Sequence, residues 1–329
     1  MNRRRAYLLV VAACALPRLL VLVQQRDGTL SHMEKSDALA RVLLETGTFG
    51  YVPGEPSANT QPLYGWFLWV VYWIAGRHWW SIGSAHLLVA SATAIVVFEI
   101  GRRHLSQRAG IVAALLTALQ PYVVWHDMHG NREILDQLLG AAMFALALAG
   151  PSLATGAALG ATSGLAILSN SRLVALPLVL AAYLLWRRSG WRVAVAVPVV
   201  AAVVLAPWIV RNRVQVGCFA ITTDARALWK ANNLGTYATL RHGGWIDDVP
   251  PLPGGPPSPE DAAAHFTATG GYPPVDECAQ MRMYSDAVRR FWIEHPGAKA
   301  KLAGQAVVML WSPVVTVESD APAGLSPPL

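Results

Sequence analysis

Of 329 residues, 54% are hydrophobic and only 14% are charged, whereas a soluble domain carries about a quarter charged residues, so an ordinary soluble globular protein is excluded. The net charge of +6 does not indicate a nucleic-acid partner. Lys and Arg fall in short clusters between apolar runs, not along one soluble face.

In chain order, apolar runs of near-spanning length occur at 6–23, 81–100, 109–125, 135–150, 152–167, 173–185, 193–210 and 300–315. Each approaches the length a helix needs to cross about 30 Å of hydrocarbon. The pattern predicts an all-α polytopic membrane protein with about eight transmembrane helices. The first run holds Arg18 and leads into Gln24, Gln25 and Arg26 in place of a small-residue cleavage site, so it is read as a retained helix. Basic clusters mark the cytoplasmic side: Arg3, Arg4 and Arg5; Arg102, Arg103 and Arg108; Arg187, Arg188 and Arg192.

The segment 63–75 is apolar and rich in Trp and Tyr but short for a span. A full crossing there would move the later basic clusters to the other side. Residues 62–76 are therefore expected to form a re-entrant or interfacial helix, with a short helix buried in the bundle as the alternative. This parity places a first outer loop 24–80, the turns 126–134 and 170–172, and a mixed extracytoplasmic region 211–299 outside. That region is irregular near 249–257 and helical over 277–295. The expected organisation is a transmembrane module 1–210, the loop region 211–299, and a last membrane helix with a polar tail, 300–329. Cys14 lies in the first span, whereas Cys218 and Cys278 share the outer region; there they form either a disulfide or two unrelated buried thiols.

Ionisable side chains at membrane-facing helix ends are costly to bury and are functional candidates by default. The outer set comprises His32, Glu34, Lys35 and Asp37; Asp127, His129, Arg132, Glu133 and Asp136; Arg172; and Arg211 and Arg213. Taken singly, each reads as a loop charge or topology determinant. Converging, they would put carboxylates and guanidinium groups around one cavity. Arg binds phosphate bidentately and stabilises charge developing on a phosphate leaving group, while a carboxylate accepts a proton from an attacking hydroxyl or amine. Arg18 is expected to snorkel or to reach outer headgroups or a bound phosphate, Glu99 to snorkel or to pair with Arg102 and Arg103, and His86 to be a packing residue. No HExxH, CxxC, Walker or GxGxxG pattern occurs.

Several residues recur together in a recognisable order. Glu34 and Asp37 are followed by Ala40, by Gly47, Phe49 and Gly50, and by Gln61, Pro62, Leu63 and Tyr64. Gly101, Arg102 and Arg103 precede an Ala/Leu run ending in Pro121, and Glu133, Ile134 and Leu135 open the next run. Pro207, Trp208, Ile209, Val210, Arg211 and Asn212 lead to Gly217, Phe219 and then Trp229, Lys230, Ala231, Asn232 and Asn233. This order resembles the GT-C class of membrane glycosyltransferases, in particular glycosyltransferase family 39 and the bacterial proteins similar to protein O-mannosyltransferases and lipid A aminoarabinose transferases. The resemblance implies inverting transfer of a hexosyl or pentosyl group from a polyprenyl-phosphate-linked sugar. The acceptor would be a lipid, glycan or protein at the outer face of a bacterial-type plasma membrane. It also implies an acidic base in the first outer loop, Glu34 or else Asp37. Arg211 would hold the donor phosphate, helped by Arg172 and Lys230, with Asp127 and Glu133 as an acceptor-side or second acidic site. Some relatives use a divalent metal and others do not. Two other classes compete: a transporter or lipid-binding scaffold that keeps the fold without chemistry, and a ligase or phosphatase acting on polyprenyl lipids.

Overall fold

The computed structural model describes residues 2–30, 33 and 35–311. Among the described residues there is no β-strand, and the chain divides into two compact units, 1–221 and 222–329. The first unit contains α1 (Arg3–Gln24), α2 (Ser36–Thr46), α3 (Pro62–Ala75), α4 (Trp79–His104), α5 (Gln107–Leu119), α6 (Pro121–Asp127), α7 (Glu133–Leu148), α8 (Leu153–Ser169), α9 (Leu176–Trp186) and α10 (Trp191–Gln215). The second contains α11 (Ala225–Lys230), α12 (Leu234–Arg241), α13 (Pro259–Thr269), α14 (Glu277–Glu294) and α15 (Pro296–Trp311).

Among the described residues, three helices, α1, α4 and α10, are long and apolar enough to cross a membrane, and the α5–α6 pair makes a fourth candidate. The run 109–125 is thus two helices bent by 60° at Gln120 and Pro121. Proline has no amide hydrogen to donate and pushes the preceding residue out of the helical region. Gln120 accordingly sits at φ −63°, ψ 117°, and its side chain caps α6 through the Val123 amide. The helix α3 has 14 residues, which at 1.5 Å per residue is about 21 Å, less than the hydrocarbon thickness. It buries Tyr64, Leu68 and Tyr72 and leaves Trp73 and Ile74 exposed.

Within the first unit the helices are ordered by polarity. Tyr7 of α1 meets Glu99 of α4, and Arg187 donates from the end of α9 to the Ala147 carbonyl at the end of α7. These contacts define one end of the bundle, where Glu99 also binds Arg102 and Arg103 as the sequence suggests. The opposite end, called here the Asp37 end, carries α2, the start of α4, the α6–α7 junction, the end of α8 and the end of α10.

Close approach of α8 and α10 rests on missing side chains. A Cβ added at Gly156, Gly160 or Gly164 would lie 2.6, 2.6 and 2.8 Å from Val193 O, Val197 O and Val204 Cβ, the small-residue stripe that lets apolar helices pack backbone to backbone. Gly140, on α7, has nothing within 4 Å of the same position. Gly160→Ala is therefore expected to destabilise the protein by about 1–3 kcal/mol through overpacking, while Gly140→Ala gains up to about 1 kcal/mol from helix propensity. Thermal unfolding in detergent would compare them; equal midpoints would remove the close-packing argument.

Candidate active site

The chemistry-bearing residues of the first unit fall into four groups at or below the Asp37 end. The deepest is an ion pair. Arg18, on the inward face of α1, and Asp127, the last residue of α6, are both almost fully buried. Arg18 Nε and Nη2 donate to Asp127 Oδ2 at 2.9 and 2.7 Å, and Nη1 donates to the Cys14 and Ala118 carbonyls. Gln137 of α7 donates to the other carboxylate oxygen. The Ala118 carbonyl lies in the last turn of α5, just before the bend. Arg18 thus neither snorkels nor reaches headgroups, as its position in the run suggested; it turns inward because a buried carboxylate and two carbonyls satisfy it there. His86 completes the group. Its Nδ1 lies 2.8 Å from the Asp127 carbonyl, which can only accept, so Nδ1 carries the hydrogen and the neutral ring's Nε2 accepts from Tyr64 at 3.0 Å.

Asp37, in the first turn of α2, is buried and fully engaged. Tyr72 donates to Oδ1 at 2.6 Å, Arg77 forks onto both oxygens at 2.8 and 3.0 Å, and Arg41 pairs from one turn along at 3.2 Å. The Asp37 hydrogen bond raises the already high pKa of Arg77. Arg77 also reaches the Leu30 carbonyl, so the group joins α2, α3 and the chain before α2. Glu34, the first-choice base, lies outside the described residues.

Arg211 sits in the last turns of α10, which runs on to Gln215, past the expected end at 210. Its Nη1 donates to Ser57 O at 2.8 Å and to Asn212 Oδ1, and its Nη2 to Phe49 O at 2.8 Å. It thereby clasps both sides of a loop that is already closed by the Ser57 amide on Phe49 O and turned at Pro53 and Gly54, the latter at φ 81°. The guanidinium stacks 4.8 Å from the Trp208 ring, and Phe49, Trp66 and Trp208 meet edge to face. Trp208 and Asn212 donate in turn to the Ile221 and Ala220 carbonyls. The Pro-Trp-x-x-Arg-Asn signature is therefore a joint between the loop after α2 and the chain after α10.

The fourth group bridges the caps of α3, α7 and α8. Arg132 donates to Gln61 Oε1 at 2.8 Å, Gln61 donates to Ser171 Oγ at 2.9 Å, and Asn170 donates to Asp136 Oδ2 at 3.2 Å. Glu133 lies beside Arg132 at 3.8 Å. The Arg172 side chain is exposed, and its backbone amide is held by Asn170. Gln61 and Asn170 were not among the candidate site residues; both are cap residues, Gln61 immediately before a helix-opening proline and Asn170 directly after a long apolar run. Cap chemistry was the signal available for them.

In the second unit, Lys230 pairs with Asp247. Asn232 accepts from Trp292 Nε1 and Lys299 Nζ, and Asn233 caps α12 through the Gly235 amide. The Trp-Lys-Ala-Asn-Asn run thus ties α11 and α12 to α14 and α15. An open groove of about 390 Å³ lies beside it, lined by Trp229, Asn233, Arg290, Phe291, Glu294 and His295. Among the described residues no three His, Cys, Asp or Glu side chains gather where they could hold a metal ion.

No curated protein and no solved structure matches the chain. The apolar helices support a multi-pass membrane protein. Residues 56–210, from the loop clasped by Arg211 to the residue before Arg211 itself, match the model of the family described as dolichyl-phosphate-mannose-protein mannosyltransferase, so over this segment the chain is similar to the GT-C, family-39-like membrane glycosyltransferases.

Proposed function

We propose that the protein transfers a sugar, with inversion, from a polyprenyl-phosphate donor to a lipid, glycan or protein acceptor on the outer face of the plasma membrane. The observation that carries this reading is the family match over 56–210. Its physical support is that acidic and basic side chains gather at one end of the bundle. Glu34 is proposed as the base that takes the acceptor's proton, with Asp37 as the alternative, and Arg211 as the donor-phosphate ligand with Arg172 and Lys230 assisting. Asp127 and Glu133 are the second acidic set. Asp37 is already the acceptor for Tyr72 and two arginines, so both its oxygens are committed to holding α2 and α3 together; this favours Glu34. Incubating the purified full chain with a panel of labelled polyprenyl-phosphate sugars and membrane-lipid or peptide acceptors tests the reading. Transfer of label supports it, and release of free sugar phosphate or polyprenol without transfer favours a phosphatase.

About eight spans, with α3 re-entrant or interfacial and the N-terminus cytoplasmic, remain our topology, motivated by the basic clusters at 102–108 and 187–192. A cysteine placed at Gln107 is expected to label from the cytoplasmic side; labelling from outside would make α3 a true span. Cys218 and Cys278 are expected to be disulfide-linked, consistent with Cys14 being the free, buried cysteine. Mass spectrometry of the non-reduced protein reads this directly, and two alkylated thiols from native membranes would refute it.

A further inference from the structure

At the end of the bundle opposite Asp37, arginines far outnumber carboxylates. The start of α1 brings Arg3, Arg4 and Arg5, the end of α4 brings Arg102 and Arg103, and the start of α5 brings Arg108. These three helix ends meet. Tyr7 and Arg3 reach Glu99 across the α1–α4 contact. A Cβ added at Gly110 would lie 2.5 Å from Phe98 O, so α5 starts backbone to backbone against α4. Glu99 is the one carboxylate in these stretches and is already shared by Arg3, Arg102 and Arg103. Six arginines against one glutamate leave a formal charge of +5. Arg4, Arg5 and Arg108 are exposed and have no ion-pair partner among the described residues.

An apolar surface leads away from these cations. Arg108, Val112 and Leu116 follow one another at four-residue spacing, which sets them in one stripe of α5; Val112 is 56% and Leu116 70% exposed. On α1, Leu8 and Leu9 lie one turn from Arg4 and Arg5 and are also exposed. The two helices pack against each other, so guanidinium groups and apolar strips stand side by side. That arrangement fits an amphiphile with an anionic head. Arginine binds phosphate through a planar fork. Holding an orientation in the membrane needs only positive charge, which lysine also supplies, yet every Lys-or-Arg position at this end is Arg, and the chain's lysines, Lys35, Lys230, Lys299 and Lys301, lie elsewhere. A zwitterionic headgroup would bring its own cation against the uncompensated charge. We propose that Arg4, Arg5 and Arg108 bind the phosphate of an acidic phospholipid in the surrounding leaflet, with its chains along the strips that begin at Leu8 and Val112. This inference is independent of the transferase reading.

The purified full chain in detergent has no inside and outside, so effects on membrane orientation do not enter the test. Native mass spectrometry would measure its affinity for phosphatidylglycerol and for phosphatidylcholine with the same acyl chains. The acidic lipid should bind more tightly. Combining Arg4→Gln, Arg5→Gln and Arg108→Gln should lower phosphatidylglycerol affinity by about fivefold per arginine. Phosphatidylcholine affinity should stay unchanged, which also reports that the variant is folded. A control with the same loss of charge at the same end of the bundle, Arg187→Gln with Arg188→Gln and Arg192→Gln, should keep the preference for the acidic lipid. The proposal fails if the wild type binds both lipids equally, if the first variant keeps the preference, or if the control loses as much. Inorganic phosphate, which lacks chains to lie on the apolar strips, should not displace the lipid; displacement would mark a site for free phosphate and overturn the lipid assignment.

Discussion

Asp127→Asn is expected to destabilise the protein by about 3–5 kcal/mol, and Arg18→Met by a similar amount. Both residues are almost fully buried, and their pairing includes two hydrogen bonds from one guanidinium to one carboxylate oxygen. Removing one partner of a buried pair leaves the other as an uncompensated charge in apolar surroundings, which dominates the cost. Arg18 would lose its carboxylate and keep only the Cys14 and Ala118 carbonyls. The double variant Arg18→Met with Asp127→Leu should recover much of the loss, because a well-packed apolar pair of similar volume is often as stable as the ion pair it replaces. Thermal unfolding in detergent, followed by size-exclusion, reads all three proteins. If Asp127→Asn alone is as stable as the wild type, or the double variant is no better than either single one, the pair does not hold α1 to the α5–α6 bend.

The runs of apolar residues were legible as helices because a segment of about 20 such residues has few other stable conformations near a membrane. The expected helix over 277–295 coincides with α14, Glu277–Glu294. The bend at Pro121 was hidden because hydropathy averages over 109–125; the local signal was the proline and the residue before it. Arg18 shows the limit more sharply. A lone cation in an apolar run is visibly odd, but its partner is 109 residues away, and nothing in the sequence links them. The Pro-Trp-x-x-Arg-Asn signature was equally visible as a pattern, yet its contacts to Ser57 and Phe49 span 154 and 162 residues. At the α8–α10 contact the stripe of Gly156, Gly160 and Gly164 was present in the sequence at four-residue spacing, but its value depends on the carbonyls that α10 places against it. Local chemistry, such as caps, prolines and basic clusters, could therefore be read directly, whereas the identity of long-range partners required the folded backbone.

Glu34→Gln is expected to lower turnover by roughly two to four orders of magnitude while changing donor affinity little, because the amide keeps the shape of the side chain and removes the proton acceptor. Asp37→Asn separates base from scaffold. Asp37 holds Tyr72, Arg77 and Arg41 together, so its loss should also lower thermal stability. Arg211 requires the same separation. Arg211→Ala removes the proposed phosphate ligand, but it also releases the Phe49 and Ser57 carbonyls and the stacking on Trp208. A phosphate role predicts weaker binding of bare polyprenyl phosphate. Arg211→Lys should restore that binding only in part, since a point charge cannot reproduce the guanidinium fork. A purely structural role predicts lost thermal stability with unchanged lipid affinity in the protein that remains folded. If Glu34→Gln and Asp37→Asn both keep near-native turnover, the base is neither of them, and Glu133 becomes the next carboxylate to replace, because Asp127 is sealed against Arg18 and Gln137 whereas the Glu133 side chain is 45% exposed.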